Sequence, residues 1–161
     1  MMPAIERNRS ASLVPDRLLL EQFSLSIEGF NVRSQSLSDL NRLCDQLDIE
    51  VVQFPMRRLH GVALEDDGFK YLYINSRLTG PEKVIAGFHE FCHLTSHSLE
   101  MSVLKSTGGL WNLQKYERQA QIVGTIALMP DPSLVGLSIE DIMHEFGVSR
   151  LIAEFRAGLV R

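Results

Sequence analysis

Residues 81–97, PEKVIAGFHEFCHLTSH, carry His89 and His93 four apart, with Glu90 directly after the first, in an otherwise apolar run. Gly80-Pro81 marks a helix start, because proline presets a helical φ and lacks only an N–H that the first turn leaves unpaired. Val84, Ile85, Phe88, Phe91, Cys92 and Thr95 then fall on the faces that avoid His89 and His93. A helix this apolar has to be covered on most sides. Its polar strip is therefore expected to line a cleft rather than face bulk solvent.

The covering elements can be read from the flanking sequence. Ser36 or Ser38 caps an amphipathic helix carrying Leu37, Leu40, Leu43, Cys44 and Leu47. The run IEVVQFP, rich in β-branched residues and stopped by Pro55, reads as a strand. LHGVALEDDGFKYLYIN reads as a hairpin turning at Asp67-Gly68. STGGLWNLQ reads as a loop, and KYERQAQIVGTIALMP as a second strongly apolar helix ended by Pro130 and Pro132. SIEDIMHEFGVSRLIAEFRAGLV closes the chain as two short helices around Gly147. The fold class is α+β, with a small, mostly antiparallel three-stranded sheet packed with helices.

A length of 161 residues fits one domain with a core of its own. Residues 1–20 are expected to form a disordered tail, and 21–161 a single domain ending in the helical pair. The net charge of −4 argues against a broad nucleic-acid footprint. Two cysteines, Cys44 and Cys92, are too few for a disulfide framework and point to reduced thiols in a cytoplasmic setting. No run is long enough to span a membrane.

Residues i and i+4 of a helix share a face, about 6 Å apart along the axis. Two imidazoles at that spacing can converge on one ion at about 2.0–2.1 Å each. Residue i+1 is turned aside, so the carboxylate of Glu90 reaches a water on the ion and can take its proton. A catalytic site needs a third protein ligand. His97 continues the row but lies about 12 Å along the axis from His89, too far for a straight helix to bring it to the same ion. It is read as a group behind the ligands, a cleft-lining residue or plain surface. The extended pattern HExxHxxGxxH fails, since Ser96 and Leu99 stand where its glycine and third histidine would be. Glu117 is the better candidate, provided its helix packs antiparallel to the first. The alternative for Glu117 is an ordinary first-turn glutamate stabilised by the helix dipole.

HEFCH followed by ERQAQIVGTIALMP resembles the ImmA/IrrE metallopeptidase family, formerly DUF955. That family pairs an HELGH-like helix with an E-x-E-A-N-x-F-A-A-x-L-L-M-P helix. Glu117, Ala120, Leu128, Met129 and Pro130 match in register, whereas Gln119, Gln121, Val123, Gly124 and Ala127 depart from it. YLYINSRLTGPEKVIAGFHEFCH is also similar to the family's strand and run-in, and the likeness covers roughly residues 36 to 157. The resemblance implies a gluzincin-like zinc site, with His89, His93 and Glu117 as ligands and Glu90 as catalytic base. Two imidazoles and a carboxylate would also suit Mn2+. It further implies limited proteolysis of a protein, with a helix-turn-helix transcriptional repressor as the expected partner.

Other residues invite functional readings. Trp111 could grip a substrate strand or anchor its loop. Tyr116 and His144 could stabilise an oxyanion, or be a packing residue and a surface residue. The terminal helices look like a helix-turn-helix reader, but Arg150, Arg156 and Arg161 are offset by Glu140, Asp141, Glu145 and Glu154, so packing or docking is favoured. The sequence therefore reads as a zinc-dependent endopeptidase. Its rivals are a non-catalytic antirepressor on the same fold and a DNA-binding regulator using the terminal helices.

Overall fold

A computed structural model describes residues 16–97 and 110–160. The elements follow in the order α1 (Asp16–Ser26), α2 (Leu37–Gln46), β1 (Ile49–Phe54), β2 (Gly61–Asp66), β3 (Phe69–Asn75) and α3 (Gly80–Cys92). A π-helical turn (His93–His97) extends α3, and α4 (Leu110–Leu128), a 3-10 turn (Asp131–Leu134), α5 (Ile139–Phe146) and α6 (Arg150–Ala157) complete the chain. The architecture is α+β.

The helices start where the sequence can satisfy their first N–H groups. Ser36 caps α2, Thr79 caps α3 and Ser138 caps α5, each in a capping box with Asp39, Glu82 and Asp141 respectively. At α2 the cap carries extra charge. The buried Asp39 carboxylate accepts from Arg33 Nη1 and Nη2 at 3.1 and 3.2 Å and from Arg42 Nη2 at 2.7 Å, besides the Ser36 backbone N–H at 2.8 Å. The Arg33 guanidinium and the Ser36 cap hold its carboxyl well below the usual carboxylate range, against the effect of burial. A depressed folded-state pKa stabilises above the unfolded value near ~4, and that stabilisation is lost as pH falls toward the folded value. Asp39→Asn is therefore expected to lower stability by about 1–2 kcal/mol at pH 7. Denaturant midpoints of the two proteins should converge only in strong acid. Equal midpoints at pH 7 would show that the network adds nothing.

The sheet has the order β1-β3-β2. β2 and β3 form the expected hairpin, with Asp66 opposite Phe69 across the Asp67-Gly68 turn. Both turn residues have positive φ, 47° and 82°, as a two-residue hairpin turn requires. β1 joins the other side of β3 in parallel, Ile49 opposite Lys70 through Phe54 opposite Asn75. The sheet is thus mixed, and the expected mostly antiparallel arrangement holds only at the hairpin. The physical reason is burial. β3 carries the fully buried Leu72 and Ile74 and takes the centre, while β2, exposed from Leu64 to Asp66, takes an edge.

α3 lies between layers. One side packs on β3 and β2, and another meets α4 along much of its length. Leu40, Cys44, Leu72, Ile74, Phe88, Cys92, Ala120, Val123 and Ala127 are buried in this core. Two boundary expectations change. The chain is helical from Asp16, inside the tail expected to run to residue 20, because Leu19, Phe23 and Ile27 form a buried stripe at four-residue spacing. Residues 1–15 lie outside the described residues. Helix α4 begins at Leu110, inside the stretch read as a loop.

The terminal pair packs on the core. Arg156 is fully buried, its Nε donating to the Met129 carbonyl at 2.7 Å and its Nη2 to Asp131 Oδ1 at 2.5 Å. Arg150 is paired with Glu140 and Glu154. Arg161 lies outside the described residues. Among the described residues, no helix is long and apolar enough to cross a membrane.

Candidate metal centre

His89 and Glu90 sit in the last turn of α3, and His93 opens the π-helical turn that follows. Glu117 sits on α4. The two helices run antiparallel, since Gly124 lies against the Ile85 carbonyl at one level and Glu117 meets His89 and His93 at the other. This is the condition on which Glu117 could approach the pair.

The three side chains converge. His89 Nε2 is 3.1 Å from Glu117 Oε2, His93 Nε2 is 3.1 Å from Glu117 Oε1, and the two Nε2 atoms are 3.2 Å apart. Ligand atoms about 2.0–2.1 Å from a tetrahedral ion stand roughly 3.3 Å from one another. The triangle therefore has nearly the size of one face of such a site, and these residues could hold a divalent ion. The donor set, two imidazole nitrogens and a carboxylate, suits zinc and several other ions equally. Glu117 is the exposed member and marks the open side, whereas His93 is buried. The neighbouring imidazoles of His89 and His93 hold the Glu117 carboxyl well below the usual range, although partial burial works the other way.

Glu90 faces the sheet. Burial raises its carboxyl above the ordinary value, against the pull of His89 and His93; the Glu117 charge adds to the rise. It lies over Gly61 of β2, where a Cβ would come within 2.7 Å of Glu90 Cγ and 3.0 Å of the Tyr73 carbonyl oxygen. Only glycine leaves room for the carboxylate at that point. The Asn75 N–H donates to the His60 carbonyl at 2.8 Å. By the alternation of an antiparallel ladder, residues 62, 64 and 66 then bond to β3, while the backbone groups of Gly61, Ala63 and Glu65 point outward from the edge. The Ala63 amide favours the charged form of Glu90. Among the described residues no strand pairs with this outer edge of β2, which runs past Glu90.

The remaining candidates are distributed differently. His97 is buried behind His93, its Nδ1 3.1 Å from His93 Nδ1 and its Nε2 3.0 Å from Gln119 Oε1. Burial and the neighbouring His93 push its pKa down to about 4, so it is neutral near pH 7. Tyr116 is buried with its ring centroid 4.6 Å from that of His97, a packing position on the far side of the histidine row. The backbone of Trp111 belongs to α4, and its side chain lies outside the described residues. His144 is exposed in the last turn of α5. The turn after α5 meets Pro81 at the opposite end of α3, about 12 Å from His89 along the axis, so His144 does not join the cluster. Sequence reasoning missed Gly61 and Ala63 beside Glu90, and Gln119 and Asp16 behind His97. Only the departure at Gln119, a polar residue on an apolar helix face, hinted at any of them.

A family model described as Peptidase_M78, IrrE N-terminal-like domain, matches residues 44–157. Among solved structures, a Mycobacterium tuberculosis transcriptional regulator is similar in fold, with a TM-score of 0.58 at 15% identity. The similarity covers 88% of this chain and 45% of that one, so this chain spans less than half of the regulator's length. No curated protein matches the sequence.

Proposed function

The chain belongs to the Peptidase_M78 family, the IrrE N-terminal-like domains, and on that premise we propose that it is a metal-dependent endopeptidase that cuts a protein substrate at a limited number of sites. The observation that carries the reading is the convergence of His89, His93 and Glu117 on one point with Glu90 beside it. His89, His93 and Glu117 would hold a zinc ion, with manganese as the alternative. Such an ion would polarise a substrate carbonyl and lower the pKa of a nearby water.

The chain's own residues do the rest. The edge of β2 offers Gly61, Ala63 and Glu65 backbone groups to an extended peptide, which would add to the sheet as a strand. Strand addition lays the peptide's carbonyls alongside Glu90. The Glu90 carboxylate accepts a proton from the attacking water and passes it to the amine that leaves. Burial favours its protonated form once the proton has arrived, which suits a group that takes and returns one proton.

The substrate class is proposed to be a helix-turn-helix transcriptional repressor in the cytoplasm, from the resemblance to ImmA/IrrE peptidases. Direct recognition of DNA is not part of this reading. Arg156 is buried and Arg150 is paired with two glutamates, so neither is offered to a phosphate backbone.

The test joins metal content with cleavage. Purified protein should contain about one divalent ion per chain by elemental analysis. His93→Ala and Glu117→Ala should lose it, and both should fail to fragment a co-expressed helix-turn-helix repressor that the wild type cuts. Full occupancy in Glu117→Ala would remove that residue as a ligand. No bound ion in the wild type would overturn the metallopeptidase reading.

A further inference from the structure

We propose that Asp16, Gln119 and His97 form a hydrogen-bonded relay that fixes the tautomer of His93, so that its Nε2 lone pair faces the cluster before any cation arrives. The inference rests on the reading of His89, His93 and Glu117 as ion ligands and adds positioning residues to it. They come from α1, the π-helical turn and α4, with Asp16 and Gln119 lying 103 positions apart in sequence.

The relay follows from donor and acceptor capacity taken one atom at a time. Gln119 Nε2 donates to Asp16 Oδ1 at 3.1 Å. With its NH2 turned toward the accepting Asp16 oxygen, the amide leaves Gln119 Oε1 for His97. That oxygen lies 3.0 Å from His97 Nε2, which therefore carries the ring proton. A neutral imidazole has one N–H, so His97 Nδ1 is left with a lone pair. It faces His93 Nδ1 at 3.1 Å, and His93 Nδ1 must then be the protonated nitrogen. The second nitrogen of His93, Nε2, bears the lone pair. It is the atom 3.1 Å from Glu117 Oε1 and 3.2 Å from His89 Nε2.

The surroundings hold this order in place. His97 and Gln119 are 2% and 1% exposed, so water does not compete for their bonds. The π-helical turn sets the His97 ring 5.2 Å from that of His93, and Tyr116 covers its other side at 4.6 Å. The consequence reaches the cluster. A His93 free to choose its tautomer could donate from Nε2 to Glu117 and close the group as an ordinary hydrogen bond. The relay withholds that proton. A lone pair and a carboxylate then face each other at 3.1 Å, a contact that favours a cation.

Long-range 15N–1H correlation on the metal-free protein reads each imidazole tautomer directly. His93 is expected as the Nδ1–H form and His97 as the Nε2–H form. Gln119→Leu should mix the His93 tautomers and weaken Zn2+ binding, measured by competition with a chromophoric chelator, by about ten- to a hundredfold. Gln119→Glu combined with Asp16→Asn gives an acceptor that both neighbours can donate to, and should restore both readouts. A wild-type His93 protonated on Nε2, or a folded Gln119→Leu with unchanged tautomer and affinity, overturns the relay. Should Gln119→Leu not fold, the wild-type tautomers decide alone. Failure of the underlying reading looks different: the wild type would bind no Zn2+, while the tautomers would still report on the relay.

Discussion

Glu90→Gln is expected to retain the fold and the bound ion while peptide cleavage falls by about a hundredfold or more. Glutamine keeps the shape of the side chain over Gly61 but cannot accept a proton at neutral pH. Because Glu90 faces the strand edge and is not one of the three converging residues, its replacement should leave ion affinity nearly unchanged. Removal of a half-buried carboxylate charge also lifts a desolvation cost, so stability should hold or rise slightly. The measurement pairs elemental analysis with mass spectrometry of a co-expressed repressor and a reporter for repression. Loss of both fragments and derepression supports the peptidase. Derepression without fragments would mean that docking alone carries the function, and the antirepressor reading would replace the enzyme.

Gly124→Ala is expected to cost about 1–3 kcal/mol in stability and to lower ion occupancy with it. The Cβ would stand 2.5 Å from the Ile85 carbonyl oxygen and 3.4 Å from the His89 amide nitrogen. Both obstacles are backbone, so no side-chain rotation relieves them, and α3 and α4 must move apart. His89 and His93 ride on or directly after one helix and Glu117 on the other, so separation widens the triangle of ligand atoms. Gly80→Ala is the control. Apart from the adjoining Pro81, which disfavours a helical alanine before it, its Cβ meets open space, so stability should change by no more than about 1 kcal/mol. Denaturant midpoints and Zn2+ competition on both variants test this. A Gly124→Ala protein with wild-type midpoint and affinity would show that the close crossing has no energetic weight.

Gly124 also shows where pattern reading stops. It is a departure from the ImmA/IrrE helix pattern, and in the sequence it is only a weak point in an apolar helix. In the fold it is the place where two backbones touch. Helix α1 shows a different failure. Leu19, Phe23 and Ile27 carry a legible four-residue stripe, but it begins before residue 20, where the expected tail ends.

What the chain alone determined is what depends on near neighbours in sequence. Helical spacing set His89, Glu90 and His93 in one turn, the Asp67-Gly68 pair set the hairpin, and serine or threonine before an acidic third residue set the helix starts. These signals act within about four residues, where backbone geometry leaves few choices. Tertiary structure decided what needs residues far apart to meet. β1 pairs in parallel with β3 because the most apolar strand takes the centre, and Glu117 reaches the histidines because Gly124 lets α4 lie against α3. His97 is buried between His93 and Gln119 because a π-helical turn, not a straight α-helix, follows His93. Loop closure and packing set those meetings across as many as 103 residues, as between Asp16 and Gln119, and no local propensity encodes them.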